Sequence, residues 1–332
     1  MDTTRIILET FLEAGDKRVS GDKLARALGV SRVSVWTRLE QLRSQGFVFE
    51  AAPRVGYRLA GLPEVPHAAL LQTYLQRMGV TAPVHCLDSV DSTNNEAERR
   101  LGAGDATPFV VVASEQTAGR GRMGRPWDSR RTGNLYMSFA FRPQIAPENM
   151  QTITLDIGLR LCARLAQKHG LPIQIKWPND LMCGGRKIAG ILTEARIDAD
   201  HVRDIVFGIG LNVNGRLADF PPELRGTAGS LAHALGSPLD ISAVAADCIG
   251  AVLDACARFI AHGRTEDFNA LWQQHDFLAG KTVTARGAGK EATGAVAGLD
   301  ARGALLVRTA DGTVLALNAG EVTLSGRQPP LP

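Results

Sequence analysis

A basic, glycine-rich run is the part of this 332-residue sequence with the clearest chemical potential. Three glycines and three arginines are interspersed from Gly119 to Arg125, and Pro126 and Trp127 follow. Glycine lets backbone amides approach a ligand closely, and the arginine guanidinium pairs with phosphate or carboxylate oxygens. The run therefore predicts a loop that binds an anion.

The glycine spacing also fits the G-x-G-x-x-G fingerprint of dinucleotide sites. That fingerprint requires the third glycine, here Gly124, to open a helix whose N-terminus holds the pyrophosphate. The residues after Gly124 are turn formers without an apolar helical period, so we expect no nicotinamide or flavin site. A solvated basic loop without a function is the simpler alternative. Trp127 and the apolar strands on both sides argue against it.

Polar residues occur at the ends of predicted strands on both sides of this loop. Ser92, Thr93 and Asn94 follow a strand and open a helix, and Gln116 leads into the basic run. Their hydroxyl and amide groups suit hydrogen bonds to a polar ligand. Capping of the helix alone is the competing interpretation of the Ser92–Asn94 cluster.

Two lysines stand out because only 7 of the 37 basic residues are lysine. Lys176 ends one predicted strand shortly before Asp180, and Lys187 begins another that contains Gly190. A compact ammonium suits a point contact with a phosphate or carboxylate oxygen, although lysine is also common at exposed strand edges. Asn212, after a long apolar strand, suits either a ligand contact or the cap of a turn.

Several other classes of site are disfavoured. Gly280-Lys281-Thr282 ends like a Walker A motif, but His275 stands where the first glycine belongs. The five cysteines contain no C-x-x-C pair, so we expect reduced thiols rather than a disulfide or zinc framework. Because the sequence lacks a membrane-length apolar run and a signal peptide, we expect a cytoplasmic protein without membrane contact.

Hydrophobic periodicity predicts the elements that position the central residues. Strands and helices alternate there, which favours a mixed sheet backed by helices. The predicted strands are 84–87, 109–114, 135–141, 173–177, 186–194 and 204–212. The predicted helices are 92–101 and 150–169, with a further helical stretch over 241–276.

The first 62 residues form a different pattern. An amphipathic helix over 3–14, a helix capped by Ser20, a third helix capped by Ser31 and a hairpin over 47–59 predict a winged helix-turn-helix. This segment carries ten basic and seven acidic residues, the whole net charge of +3. The residues predicted to contact DNA lie in the third helix: Ser31, Arg32, Ser34, Thr37, Arg38 and Gln41. A helical protein-interaction module with a solvated face is the alternative.

Short strands separated by glycine turns follow residue 280 and predict a small β-barrel. The predicted strands are 281–285, 293–299, 304–309 and 314–318. The fold class is therefore α+β, with a winged helix, a central mixed sheet with helices, and a C-terminal small barrel. We place the three domains at 1–62, 63–277 and 278–332.

Taken together, the spaced motifs resemble those of the biotin–protein ligases. The resemblance rests on Ser92-Thr93-Asn94, Gln116, GRGRMGRPW, KWPNDL from Lys176, GRKIAGIL and GIGLNVN. With the winged helix, the chain looks like the bacterial ligases that also repress the biotin operon. The resemblance implies a central domain like that of class II synthetases and a C-terminal barrel like the Src-homology-3 fold.

The activity that the resemblance implies has two steps. Biotin and Mg²⁺-ATP form biotinyl-5′-AMP, and a lysine of a biotin carboxyl carrier domain then takes the biotinyl group. Lys187 and Arg122 would be catalytic, and the metal ligands stay unknown. The implied ligand contacts are Ser92, Thr93, Asn94, Gln116, Arg120, Gly121, Arg122, Trp127, Lys187 and Gly190, and secondarily Lys176, Asp180 and Asn212. Operator DNA and a homodimer formed with biotinyl-AMP are the other implied partners.

The sequence departs from the family pattern at three places. Met123 and Pro126 stand where a familiar bacterial loop has arginine and lysine. The segment 215–235, implied to cover adenine, contains no tryptophan, so 228–235 would supply the apolar cover. The wing turn around Pro53 and Arg54 also differs. Two alternative functions remain open: a transcription factor that senses biotin without catalysis, and a ligase for lipoate or another acyl acid.

Overall fold

The computed structural model describes residues 3–287, 290–318 and 320–324. The N-terminal unit confirms the predicted winged helix. Its elements are α1 (Thr3–Ala14), α2 (Gly21–Leu28), α3 (Arg32–Ser44), β1 (Val48–Ala52) and β2 (Gly56–Gly61). Ser20 and Ser31 cap α2 and α3 as expected, since each hydroxyl accepts a hydrogen bond from a backbone amide in the first turn.

One helix, α4 (Ala68–Arg77), was not predicted from the sequence. This helix joins two hydrophobic cores. Leu70 is buried with the winged-helix residues, whereas Leu71 and Leu75 are buried in the core of the central sheet. The helix packs against both units, so its apolar residues lie on two faces. They therefore do not show the spacing of a helix with a single apolar face.

The central unit is built on seven strands in the order β3-β4-β5-β9-β8-β7-β6. The first pair, β3 and β4, is parallel, and the remaining pairs are antiparallel. The strands are β3 (Val84–Leu87), β4 (Phe109–Ala113), β5 (Leu135–Phe141), β6 (Ile173–Lys176), β7 (Asp180–Cys183), β8 (Arg186–Ile197) and β9 (Val202–Leu211). The mixed sheet is as predicted, but the sequence reasoning missed β7, which has only four residues.

Helices back this sheet: α5 (Thr93–Ala103), α6 (Met150–His169), α7 (Leu231–Leu235), α8 (Ile241–His262) and α9 (Asp267–His275). The predicted stretch 241–276 is two helices, because α8 ends at Gly263 with φ 67°. The long helices α6 and α8 bury much of their surface in the core. Within the described residues, no helix is both long and apolar enough to cross a membrane.

The C-terminal unit is one antiparallel sheet in the order β13-β12-β11-β10-β14. Its strands are β10 (Thr282–Gly287), β11 (Lys290–Leu299), β12 (Leu305–Thr309), β13 (Val314–Leu317) and β14 (Glu321–Leu324). Over the described residues the two edge strands, β13 and β14, do not pair, and this five-stranded sheet is compatible with the predicted small barrel. The carbonyl of Gly303 anchors it by accepting hydrogen bonds from Trp177 Nε1 at 3.0 Å and Gln151 Nε2 at 2.8 Å.

Candidate functional site

The floor of the site is a bare patch of sheet made by glycines on β8 and β9. Gly190 pairs with Gly210, and Gly208 lies two residues away on the same face. A Cβ at Gly208 would lie 2.2 Å from Asn94 Oδ1, and a Cβ at Gly210 would lie 2.3 Å from Trp127 Nε1. These two side chains therefore rest directly on the backbone. The alternating glycines of GIGLNVN were a signal of this close approach that the sequence reasoning did not use.

Trp127, at the end of the basic run, covers this floor. A Cβ at Gly190 would lie 2.8 Å from its ring, and its buried Nε1 has no hydrogen-bond acceptor among the described residues. Packing on glycine, rather than hydrogen bonding, thus positions the indole. The ammonium of Lys187 lies 5.2 Å from the ring centroid, within the range of a cation–π contact.

Behind Trp127, the predicted polar residues form one hydrogen-bonded cluster. Gln116 Oε1 accepts hydrogen bonds from Thr93 N at 2.8 Å and Thr93 Oγ1 at 3.1 Å, while Gln116 Nε2 donates to Ser129 Oγ. Ser138 Oγ lies 2.7 Å from Thr93 Oγ1 and 2.6 Å from Asn94 Oδ1. Satisfied buried polar groups hold one another in place, so this side of the site is preformed. Ser129 and Ser138 are additions that the sequence did not suggest.

Ser92 precedes this cluster at the N-cap of α5. Its side chain makes no capping hydrogen bond, although the residue is buried. Capping alone, the competing interpretation from the sequence, therefore does not account for this serine.

Glu194 is the most consequential residue that the sequence reasoning missed. Its carboxylate accepts a hydrogen bond from Asn94 Nδ2 at 2.6 Å and pairs with Arg120 Nη2 at 3.0 Å. Arg120 also donates to Asn95 Oδ1. An acidic residue inside the apolar strand GILTE was the available signal. The contacts bring Arg120 to the Asn94 side of the site.

A second group of charges lies on the Lys187 side. Lys187 Nζ pairs with Asp180 Oδ1 at 2.7 Å, and Arg122 Nη1 donates to Asn179 Oδ1 at 3.2 Å. Burial lowers the pKa of the Arg122 guanidinium, and the nearby Asp180 and Glu321 carboxylates act in the opposite direction. Two cations thus flank one carboxylate beside Trp127. Lys176 pairs with Asp180 in the β6–β7 register, so it belongs to the same corner of the sheet.

The basic run itself folds back as a short loop. Trp127 N donates to Gly119 O at 2.9 Å, and Gly121 N donates to Arg125 O at 2.7 Å. A Cβ at Gly119 would lie 2.2 Å from Ser129 Oγ, so only glycine fits there. No helix opens at Gly124 in the described structure, as the turn formers after it predicted.

The tip of the loop is open to solvent on one side and tied to the C-terminal sheet on the other. Met123 has a positive φ of 57° and is 77% exposed. Arg125 Nη2 pairs with Glu321 Oε1 on β14 at 2.6 Å. The C-terminal unit thereby contributes a contact to the loop.

The segment 215–235 ends against the same corner. Lys187 N donates to Thr227 O at 2.8 Å, and Gly229 N donates to Lys187 O at 2.9 Å. Asn212 Nδ2 donates to Gly229 O at 2.9 Å, so this amide fastens the segment. An open cleft of about 500 Å³ lies beside it, lined by Arg130 and residues 218–225, but none of the predicted ligand contacts line that cleft.

The residues predicted to contact DNA lie apart from this site on α3. Arg32 and Thr37 are exposed, and Ser34 and Arg38 are half-buried. Sequence reasoning overlooked two apolar side chains on the same helix, Val33 and Trp36, which are 73% and 52% exposed.

Three family models match this chain in the order of its structural units. An HTH domain model matches residues 4–58, the biotin/lipoate A/B protein ligase family model matches residues 86–212, and a biotin protein ligase C-terminal domain model matches residues 279–325. The fold and site thus define a ligase of the biotin and lipoate class that carries a DNA-binding-type domain.

Comparison with individual proteins narrows this class. The bifunctional ligase/repressor BirA of Bacillus subtilis is 35% identical over 282 residues, covering 84% of this chain and 86% of the relative. The same-named Escherichia coli protein is 34% identical over 197 residues, 58% of this chain and 59% of that protein. This chain belongs to the bifunctional ligase/repressor family, and its enzymatic part is that of a biotin protein ligase.

The solved structures agree with this assignment. A biotin protein ligase from Aquifex aeolicus, in complex with biotin and ATP, superposes with a TM-score of 0.63 at 29% identity. The match covers 74% of this chain and 99% of that chain.

Proposed function

We propose that this protein activates biotin with ATP to biotinyl-5′-AMP and transfers the biotinyl group to a lysine of a carboxyl carrier domain. The observation that carries the proposal is that Lys187 pairs with Asp180 beside Trp127 while Arg122 donates to the adjacent Asn179. Two cations at one corner of a half-buried pocket suit a reaction in which negative charge moves between phosphate oxygens.

Biotin would occupy the polar cluster behind Trp127. The ureido ring of biotin carries two N–H donors and one carbonyl acceptor, and the cluster offers hydroxyl and amide groups of both kinds in Ser92, Thr93, Asn94 and Gln116. Because these groups already hold each other, little side-chain entropy is lost when the ligand binds. Arg120, paired with Glu194, supports this cluster.

In the first step, a carboxylate oxygen of biotin attacks the α-phosphorus of ATP, and the bond to the pyrophosphate oxygen breaks. Charge increases on the phosphoryl oxygens as this occurs. Lys187 and Arg122 would stabilise that charge at fixed positions, which is the main contribution a protein makes to phosphoryl-type transfer. Loss of either cation would raise the barrier.

Mg²⁺ would enter bound to ATP. This ion is usually held by one or two carboxylates together with substrate phosphates, and Asp180 is the carboxylate available at the Lys187 corner. Bound there, it would neutralise phosphate charge. No group of three or more His, Cys, Asp or Glu side chains suited to a metal occurs within the described ranges.

The loop from Gly119 to Trp127 would cover the intermediate. A mixed anhydride hydrolyses readily, so a cover that excludes water until the carrier arrives protects it. In the second step, the carrier lysine attacks the acyl carbon, and AMP leaves with the electrons of the cleaved acyl–oxygen bond. The segment 215–235 would close over the adenine.

The winged helix would make the same chain a repressor. We propose that α3 binds operator DNA and that two copies, joined when biotinyl-AMP is bound, read two half-sites. The predicted domain limits 1–62, 63–277 and 278–332 and a cytoplasmic location belong to this proposal. The Ser31 cap and the basic excess of the first unit support it.

The deciding experiment is incubation with biotin, Mg²⁺-ATP and a purified carrier domain, followed by mass spectrometry. We expect the carrier lysine to gain one biotinyl group. If the carrier mass stays unchanged while DNA binding persists, a biotin-sensing transcription factor replaces the enzyme. Pyrophosphate exchange that depends on lipoate or octanoate instead of biotin would identify an acyl ligase of the other kind.

A further inference from the structure

The outward face of α3 is unusually apolar for a helix expected to enter DNA. Val33 and Trp36 lie three residues apart, so their side chains are neighbours on one face of the helix. Among the large apolar residues in the described part of the chain, only Met123 is more exposed than Val33. Apolar side chains exposed together in a folded domain generally indicate a partner.

The small polar residues of α3 are occupied within the helix. Ser31 Oγ accepts a hydrogen bond from Ser34 N at 3.1 Å and lies 3.0 Å from Ser34 Oγ. Thr37 Oγ1 donates to Val33 O at 3.1 Å, in the preceding turn. These hydroxyls, which the sequence suggested for base contacts, are therefore less available to bases than the indole and the isopropyl group beside them.

Exposed cations occur in the same unit as the apolar pair. Lys23 and Arg26 lie on α2, Arg32 begins α3, and Arg54 lies at the tip of the wing, where φ is 63°. An apolar pair on a unit with exposed cations complements a groove with anionic edges and methyl groups on its floor. The major groove of B-DNA has this character wherever thymine occurs, and it is wide enough for one α-helix.

We propose that Val33 and Trp36 read sequence by contacting the C5-methyl groups of thymines in the major groove, while the exposed cations of the same unit contact phosphates. This inference rests on the proposed DNA-binding function and names the chemistry it recognises: A·T pairs read through their methyl groups. The polar residues of α3 then position the helix, and the apolar pair supplies discrimination.

The test begins with a random-sequence duplex pool enriched on the wild-type protein in the presence of biotin and Mg²⁺-ATP. The enriched duplex is then synthesised twice, once with thymidine and once with deoxyuridine, which lacks only the methyl group. Affinities of wild type, Trp36→Ala and Val33→Ala are measured for both duplexes. Ile260→Ala is the matched control, because Ile260 is also exposed, at 45%, but lies on α8.

We expect deoxyuridine to weaken wild-type binding about tenfold, within the usual cost of altering one or a few base pairs. Trp36→Ala should weaken binding to the thymidine duplex by a similar factor and be insensitive to deoxyuridine, because the methyl group then has no partner. Val33→Ala should show a smaller loss of affinity with the same pattern. It replaces Trp36→Ala as the test variant if Trp36→Ala does not fold. Ile260→Ala should bind both duplexes with wild-type affinity. Carrier labelling should be the same in all the variants as in wild type.

Two results would overturn the inference while leaving the proposed function intact. One is that deoxyuridine weakens the binding of Trp36→Ala as much as that of wild type, so that the two losses of affinity multiply. The other is that Trp36→Ala binds DNA like wild type. Loss of self-association in Trp36→Ala with unchanged DNA affinity would also overturn it, since a protein would then occupy this face. Failure to enrich any duplex would remove the DNA-binding function itself.

Discussion

The inner pocket and the basic loop that faces it are held by different amounts of structure. Inside, Thr93 and Asn94 are buried, and each makes several hydrogen bonds to neighbouring side chains. In the loop, Arg122 has one polar contact to Asn179, and Arg125 has one to Glu321. The pocket is fixed by a network that includes Arg120, whereas single, partly exposed side-chain contacts hold the tip of the loop from Arg122 to Arg125.

This difference teaches how the two parts divide the work. A network of buried, satisfied polar groups resists rearrangement, so the pocket can select a ligand before any movement occurs. Single contacts near solvent are weak and are readily broken and remade. The tip of the loop, from Arg122 to Arg125, can therefore open for ATP and the carrier without disturbing the pocket. Changes in the pocket floor should alter binding, and changes in the loop should alter retention.

The largest effect should come from Lys187→Ala, which removes a cation that is carried by strand β8 and not by the loop. We expect biotin-dependent pyrophosphate exchange to fall by at least about a hundredfold, the loss typical of one electrostatic contact to developing charge. Biotin binding without ATP should change little. Lys168→Ala is the control, because that lysine pairs with Asp247 on the helical layer. Near-normal exchange in Lys187→Ala would contradict its catalytic role.

Gly210→Ala tests whether the floor is rigid. The added methyl would overlap Trp127, and forcing an extra methyl into a packed site costs roughly 1–3 kcal/mol. We expect biotin affinity, measured by titration calorimetry, to fall about tenfold. Gly102→Ala on α5 is the control, since a Cβ there meets nothing within 4 Å. Equal biotin affinities for the two variants would show that the floor and Trp127 shift to accommodate the methyl group, so that the floor is not rigid.

Arg122→Ala tests the loop as a cover. Loss of one charged hydrogen bond, about 1.5–3 kcal/mol, should slow adenylate formation and increase, roughly tenfold, the fraction of the adenylate formed that is released free. The readout is labelling of bystander proteins in a mixture with the carrier. Arg131→Ala, whose side chain pairs with Asp88 near the surface, should not increase it. An unchanged labelling pattern would count against a covering role.

The smallest effect should come from Glu321→Gln, which breaks the tie between the loop and the C-terminal sheet. The side chains of Arg125 and Glu321 are 62% and 42% exposed, so the pair contributes about 0–1 kcal/mol. We expect less than about a fivefold increase in adenylate release at low salt, vanishing at high salt. Glu291→Gln breaks a comparably exposed pair with Arg286 in the same sheet and is the control. An increase in adenylate release as large as that of Arg122→Ala would contradict the view that weak single contacts hold the loop.

Much of the fold follows from local pattern. Helix α1 and strands β3 and β5 have the predicted limits, because their apolar spacing, capping residues and glycine boundaries act within a few residues. The short elements were missed. Strand β7 has four residues and α7 has five, so neither contains enough periods for a pattern to stand out.

The candidate site shows the same division. Motifs in the sequence indicated the basic loop, Gln116, Lys187 and the Ser92–Asn94 cluster. The partners Glu194 and Ser138 were not indicated, because they reach Asn94 only through pairing of strands far apart in sequence. A side chain that acts by contacting a residue far away in sequence has no characteristic spacing from which it could be predicted.

The sequence by itself determined the chemistry: an arginine–glycine loop, two scarce lysines, a basic winged helix and an ordered motif set. Only the tertiary structure decided which groups share a site. It brought Lys187 to Asp180 and Arg122 to the adjacent Asn179, tied Arg125 to Glu321 across two units, and left Trp36 outside the core. The physical reason is that residue type fixes what a group can do, while chain topology fixes which groups meet.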